Sequence, residues 1–187
     1  PNINHFSTQG SSGGPVGLVN ISFIKDVTLS TSSFGAEYDN ALSGVLAFNQ
    51  KDANKEKLVG NFRLGSSEAG LTIEGPINNK SSFILSLRRS YLQFIFKAFG
   101  FSFLPDYWDY QFKLNHEIDS NNSIKLIGRG SIDKLTVNEP DKFNFENQSV
   151  IEQIPLTNQN TETFGLTWRR IYKSMNGFFD LSISNNN

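Results

Sequence analysis

Two carboxylates, Asp106 and Asp109, flank Tyr107 and Trp108 in the run DYWDY. Paired acids beside aromatic rings are what a glycosidase or a sugar-binding groove would use. Nothing in the sequence sets their separation in space, so capping or ion pairing at an aromatic-rich strand start is the plainer role. The two histidines, His5 and His116, lie far apart in the chain. Ser-His-Asp chemistry would need one of them beside an activated serine, and neither has a supporting motif such as Gly-x-Ser-x-Gly. The run QGSSGGP, residues 9–15, offers backbone amides to an anion but lacks both the Lys-Ser/Thr ending of a phosphate loop and the strand before it. A tight loop packed against other protein, including Gln9, Gly10, Gly13 and Gly14, fits better. Glu37, Asp39 and Asn40 present oxygen ligands without the full spacing of a calcium loop, which favours capping and ion pairing. Arg88 and Arg89 are adjacent and cannot point the same way from a strand. One is expected on the polar side and the other at a strand end or bulge, in structural ion pairs. No catalytic constellation stands out, and the sequence reads as a non-enzyme with no cofactor and no metal site.

Composition bounds the elements that position these residues. The chain has 187 residues, enough for one domain with a sizeable core or for a piece of something larger. Seventeen Phe against one Met, with 37% hydrophobic residues, scatter apolar positions among polar ones, as strands require. A net charge of -1 gives no long-range attraction to nucleic acid. The absence of cysteine excludes disulfide scaffolds, Cys metal sites and thiol catalysis. The opening Pro1-Asn2-Ile3-Asn4 has no initiator Met, basic start or apolar signal run, as an excised or processed piece would show. No stretch of about 18 apolar residues is present, which rules out a transmembrane helix but not membrane strands of about 10 alternating residues.

Along the chain, residues 5–15 read as a loop. Residues 18–31 fit one or two short strands, with Ile21, Phe23, Val27 and Leu29 as inward candidates and a register change near Ile24. Residues 36–42 have room for about two helical turns, and VLAFNQ (45–50) is a strand. The charged stretch KDANKEK (51–57) reads as a flexible joint. Beyond it, strands are expected at 59–66, 69–77, 81–91, 107–118, 123–135, 161–172 and 177–184, an antiparallel meander. Arg63, Glu74, Arg88, Lys113, Lys125 and Arg129 fall on the polar side of these strands, suiting bulk solvent or the wet interior of a large barrel. Residues 92–104 are a short amphipathic helix or a hydrophobic loop, and 139–160 a polar excursion.

Residues 5–51, HFSTQGSSGGPVGLVNISFIKDVTLSTSSFGAEYDNALSGVLAFNQK, resemble the C-terminal half of the plug domain of TonB-dependent outer-membrane receptors, particularly a Bacteroidota-type branch. The family's pattern of an isoleucine- and valine-bearing strand, a small-residue turn, a Tyr-x-x-x-Ala-x-x-Gly stretch and a last plug strand looks matched by Ile24 to Leu29, Phe34 to Asp39, Asn40 to Gly44 and Val45 to Lys51. That strand reads GVLAFNQK where many members end Gly-Val-Ile-x-Ile-x-Thr-Lys. SLRRSYLQFIF (86–96) and DYWDYQFKLNHEI (106–118) look like the opening barrel strands.

The resemblance implies a mostly β chain: residues 1–52 a C-terminal part of the plug, 53–57 a linker, and 58–187 the N-terminal strands of an antiparallel transmembrane β-barrel. It implies energy-coupled uptake of a scarce ligand, a small molecule, peptide or glycan, at the cell outer membrane. The implied barrel has about 22 strands, whereas about 130 residues after Lys57 supply six to eight of roughly 10 residues. The chain is therefore expected to be a fragment whose partners are the rest of the receptor, outer-membrane lipid and a periplasmic energy-coupling protein. The coupling box of the family is absent, so no residue here is assigned to coupling. The loop at 5–15 and the turn Tyr38-Asp39-Asn40 are expected inside the barrel, with Arg88 or Arg89 paired to plug carboxylates. The alternatives are a soluble β-sandwich binding carbohydrate or peptide and a structural module of a surface assembly. An outward apolar band from Phe62, Leu71, Leu85, Phe112, Leu166 and Leu181 would favour the receptor.

Overall fold

Among the described residues, the N-terminal third is built from short stretches of extended chain. A computed structural model describes residues 4–6, 16–31, 35, 38, 43–138, 157–172, 174 and 177–186. Strand β1 (Asn4–His5) pairs antiparallel with β2 (Val16–Gly17). One 3-10 turn at Ile21–Phe23 follows, started by the Asn20 side chain, which accepts the Ser22 N–H at 2.9 Å. It leads into β3 (Ile24–Ser30), paired with β4 (Val45–Gln50), with a register shift between Ile24 and Asp26.

From Val59 onward, alternation takes over. Strands β5 (Val59–Leu64), β6 (Glu68–Asn78), β7 (Ser81–Ser90), β8 (Phe103–Glu117), β9 (Asn122–Val137), β10 (Thr157–Tyr172) and β11 (Gly177–Asn186) form one antiparallel sheet in sequence order. Two connections owe their tightness to Asx turns, in which a side-chain oxygen takes the place of a backbone acceptor. Asp119 accepts the N–H groups of Asn121 at 2.7 Å and Asn122 at 2.9 Å, and Asn78 accepts that of Lys80 at 2.9 Å. The sheet is open among the described residues, with β5 and β11 as its edges.

The apolar stretch after β7 forms helix α1 (Leu92–Ala98). It ends where Gly100 takes φ +73, its N–H bonding the Lys97 carbonyl at 3.1 Å while Phe101 N–H reaches the Phe96 carbonyl at 3.0 Å. Glycine reaches that left-handed angle without a Cβ clash, which lets the helix close in this way.

The sheet carries its polarity reversed. Leu71, Leu85, Leu87, Leu166, Leu181 and Ile183 leave the outer face and stay exposed, as does Phe62 at 69%. Phe112, of the anticipated outward band, is half-buried on that face. The opposite face buries Thr72, Ser82, Ser86, Arg88, Asp109, Gln111, Lys113, Ser131 and Asp133. A soluble sheet does the opposite, because apolar area is what gains from leaving water, by roughly 25 cal/mol per Å². Cross-strand packing on the outer face is nevertheless specific. Phe112 lies over Gly128 and Tyr110 over Gly130, their registered partners, where an added Cβ would stand 2.4 Å and 2.6 Å from the rings.

Described parts of the N-terminal segment, among them His5, Gly17, Asn20, Phe23 and Asp52, lie against the polar face. Phe23, Ala53 and Ile84 form a small apolar cluster between the two parts. The stretch read as a flexible joint is docked at its start: Ala53 is buried, and the Asn54 side chain accepts the N–H groups of Glu56 and Lys57. Of the inward candidates at 18–31, only Phe23 is buried, while Ile21, Val27 and Leu29 are exposed. The 3-10 turn rotates Ile21 outward, and the β3–β4 hairpin is a separate two-stranded sheet whose Val27 and Leu29 remain uncovered among the described residues.

Candidate functional site

The interest of the molecule lies where the N-terminal segment meets the polar face. β1 brings His5 to β8 and β9, on which Asp109 and Asp133 share the inward parity of Gln111, Lys113 and Ser131. His5 Nδ1 lies 2.6 Å from Asp133 Oδ1 and Nε2 lies 3.2 Å from Asp109 Oδ2. All three side chains are buried. The imidazole stacks on Tyr107 with 4.0 Å between ring centroids, and the Tyr107 hydroxyl donates to Glu68 at 2.7 Å. Arg88 Nε donates to Asp109 at 2.8 Å, its Nη1 stands 3.5 Å from Glu68, and its Nη2 donates to the Gly17 carbonyl on β2 at 2.8 Å. Burial opposes a charge on His5, but hydrogen bonds and charge from Asp109 and Asp133 outweigh it and hold its pKa above the ordinary value.

Midway along the segment, Asn20 Nδ2 donates to Ser86 Oγ at 2.6 Å, and Ser86 Oγ also lies 3.0 Å from Thr72 Oγ1. At the far end, buried Lys113 donates to the Lys51 carbonyl and to Asp52 Oδ1, both at 2.8 Å, and Lys51 reaches Glu74 at 3.0 Å. The Lys113 hydrogen bond is the main reason the Asp52 pKa falls below its ordinary value. The segment is thus attached at both ends by ionic contacts and in the middle by hydroxyl and amide bonds. Between the β3–β4 hairpin and the sheet lies a cavity of about 250 Å³, lined in part by Val19, Phe48, Gln111, Ile127 and Arg129.

The anticipated site residues divide. Arg88 takes the inner face and Arg89 the outer, as strand parity requires. Arg89 pairs with Asp106 and stacks over Trp108 with 4.8 Å to the ring centroid. Among the described residues, the carboxylates that meet these arginines are on the sheet and not on the N-terminal segment, because Asp106, Asp109 and Glu68 stand in adjacent strands. Arg88 touches the segment through a backbone carbonyl. Asp106 and Asp109 leave opposite faces of β8, so they do not flank a common space. Tyr38 is exposed, its N–H bonded to the Gly35 carbonyl at 3.1 Å. Gln9, Gly10, Gly13, Gly14, Asp39 and Asn40 lie outside the described residues, as do Glu37 and most of the 36–42 stretch read as helix.

Asp133 and Asp52 were not singled out from sequence as parts of a site, and His5 was weighed only for Ser-His-Asp chemistry and as the start of the loop at 5–15. Asp133 carried a signal, since it continues the parity of Lys125, Ile127 and Arg129. His5 carried none, because its partners are 104 and 128 residues away. In comparisons with known proteins, no family model, curated protein or solved structure matches this chain.

Proposed function

We propose that this chain is a section of an energy-coupled outer-membrane receptor, with residues 1–52 as plug and 58–187 as the first strands of its barrel wall. The observation that carries the proposal is the reversed polarity of the seven-stranded sheet. An apolar face open to the surroundings and a polar face turned to an internal segment are the arrangement a membrane barrel needs. Exposed apolar patches beyond a few hundred Å² are rare on soluble monomers. A soluble sandwich would place apolar side chains between its layers, whereas here the covered layer holds Arg88, Asp109, Lys113 and Asp133. β5 and β11, the edges of the sheet among the described residues, fit the same proposal. Backbone groups at an open edge find no partner in lipid, so further strands of the receptor would pair there. The ligand would be a small molecule, peptide or glycan admitted when the plug is displaced.

Intact mass of the native species tests this. A protein several-fold heavier than 21.0 kDa, confined to the outer membrane and containing this sequence, is the expected result. A water-soluble species near 21.0 kDa would overturn it.

A further inference from the structure

The two ends of the N-terminal segment are held by different chemistry. At the 51–53 end, Lys113 grips a backbone carbonyl and the Asp52 carboxylate. At the other end, both ring nitrogens of His5 face carboxylate oxygens. A neutral imidazole has one N–H, so one ring nitrogen would then present a lone pair to a carboxylate. Only the imidazolium donates in both directions.

We propose that protonated His5 is a latch that holds β1 against the sheet, and that raising the pH releases this end of the segment while the 51–53 end stays docked. The carboxylates packed around the ring favour a cation there, while Arg88, which shares Asp109 with the ring, opposes it. Asp109 and Tyr107 come from β8, Asp133 from β9, Arg88 from β7 and Glu68 from β6. With His5 neutral, buried Asp133 would lose the cation that faces it and Asp109 would keep Arg88, while Glu68, which is part-exposed, is shared by Arg88 and Arg63; an uncompensated buried carboxylate is costly. The Tyr107 ring adds a face suited to a cation. Phe6 stores strain beside the latch: its φ is +53, a left-handed angle that a residue with a Cβ adopts only at a cost. Its N–H is held by Asp133 Oδ2 at 3.0 Å.

The direction of the pH effect follows from the raised folded-state pKa. The stabilisation is full below the unfolded value of about 6.5 and disappears as pH climbs through the higher folded value. Asp52, whose pKa Lys113 holds down, stays charged over that interval. The latch goes beyond the receptor proposal and does not depend on what the chain transports.

The test is a pH titration of the full chain in detergent micelles with isotope-labelled histidine. Two histidines give two imidazole signals, and His116→Gln assigns them. The His5 signal is expected to titrate above 6.5. Over the same interval, protection of the Phe6 amide against hydrogen exchange should fall by about tenfold for each unit of that elevation. The Lys51 amide, bonded to the Phe23 carbonyl at 2.9 Å, should keep its protection. Asp133→Asn should lower the His5 titration and flatten the Phe6 profile. A His5 titration at or below 6.5, or Phe6 protection constant through it, would overturn the latch. The unsubstituted chain decides the matter alone if the variant does not fold.

Discussion

The two faces of the seven-stranded sheet are made by the same strands and obey opposite rules. On the outer face, large apolar side chains stand exposed and pack mainly against their cross-strand neighbours, as Phe112 does over Gly128. On the inner face, Arg88, Asp109, Lys113 and Asp133 are buried, and each is matched to a partner from another strand or from the N-terminal segment. The outer face therefore depends on what surrounds the molecule, while the inner face depends on pairing within it. Substitutions on the two faces should fail for different reasons.

The largest effect is expected inside. Arg88→Met leaves Asp109 and Glu68 without their shared cation. It should cost about 3–5 kcal/mol, the usual penalty for removing one partner of a buried ion pair. Denaturant unfolding in detergent measures it, and a loss under 1 kcal/mol would show that the cluster is wet. On the outer face, Leu85→Arg or Leu166→Arg should cost about 2–4 kcal/mol in a bilayer if these residues sit near its midplane. In water an exposed leucine tolerates the same change to within about 0.5 kcal/mol. Unfolding in lipid vesicles separates the two values, and the smaller one in lipid would sink the comparison as drawn.

A smaller, pH-dependent effect sharpens the contrast between the two attachments of the segment. Asp52 is held below the ordinary carboxylate value of 3.8, first by its hydrogen bond from Lys113. Its contribution is present above that value and lost as pH falls through the lower folded value. Acid should therefore loosen the 51–53 end, whereas alkali loosens the His5 end. Exchange of the Lys51 amide with and without Lys113→Met reads this, and identical profiles would remove Asp52 from the account. The smallest effect belongs to the ion pair of Arg169 and Asp180, at 2.6 Å but largely exposed. Arg169→Ala should change stability by about 0–1 kcal/mol, because water and salt screen such a pair. A loss above 2 kcal/mol would mean that β10 and β11 are covered on this face.

Much of the sheet was legible because period-2 alternation is a local property. Phe62 and Leu64 opposite Arg63, or Lys125 and Arg129 opposite Leu126 and Gly128, assign two faces without any knowledge of neighbours. The tight turns were legible at Asn78-Asn79-Lys80 and Asp119-Ser120-Asn121-Asn122, where Asx side chains can replace backbone partners. The N-terminal segment was less so. Ile21, Val27 and Leu29 have apolar side chains and suggest a buried face, but a 3-10 turn rotates Ile21 outward and the hairpin of Val27 and Leu29 stands apart from the larger sheet. The stretch 51–57 looks solvated because it is charged, yet Lys113 and Ile84 on distant strands hold its first residues. Arg88 and Arg89 were predicted to separate, while their partners depended on which strands lay beside β7.

The sequence by itself determined the strand class, the meander and the separation of apolar from polar faces, since alternation and turn chemistry act over a few residues. Only the tertiary structure decided that the polar face is the covered one and that His5 lies between Asp109 and Asp133. Those outcomes depend on contacts between residues from 61 to 128 positions apart, which no local pattern encodes and which arise when the N-terminal segment folds against the sheet.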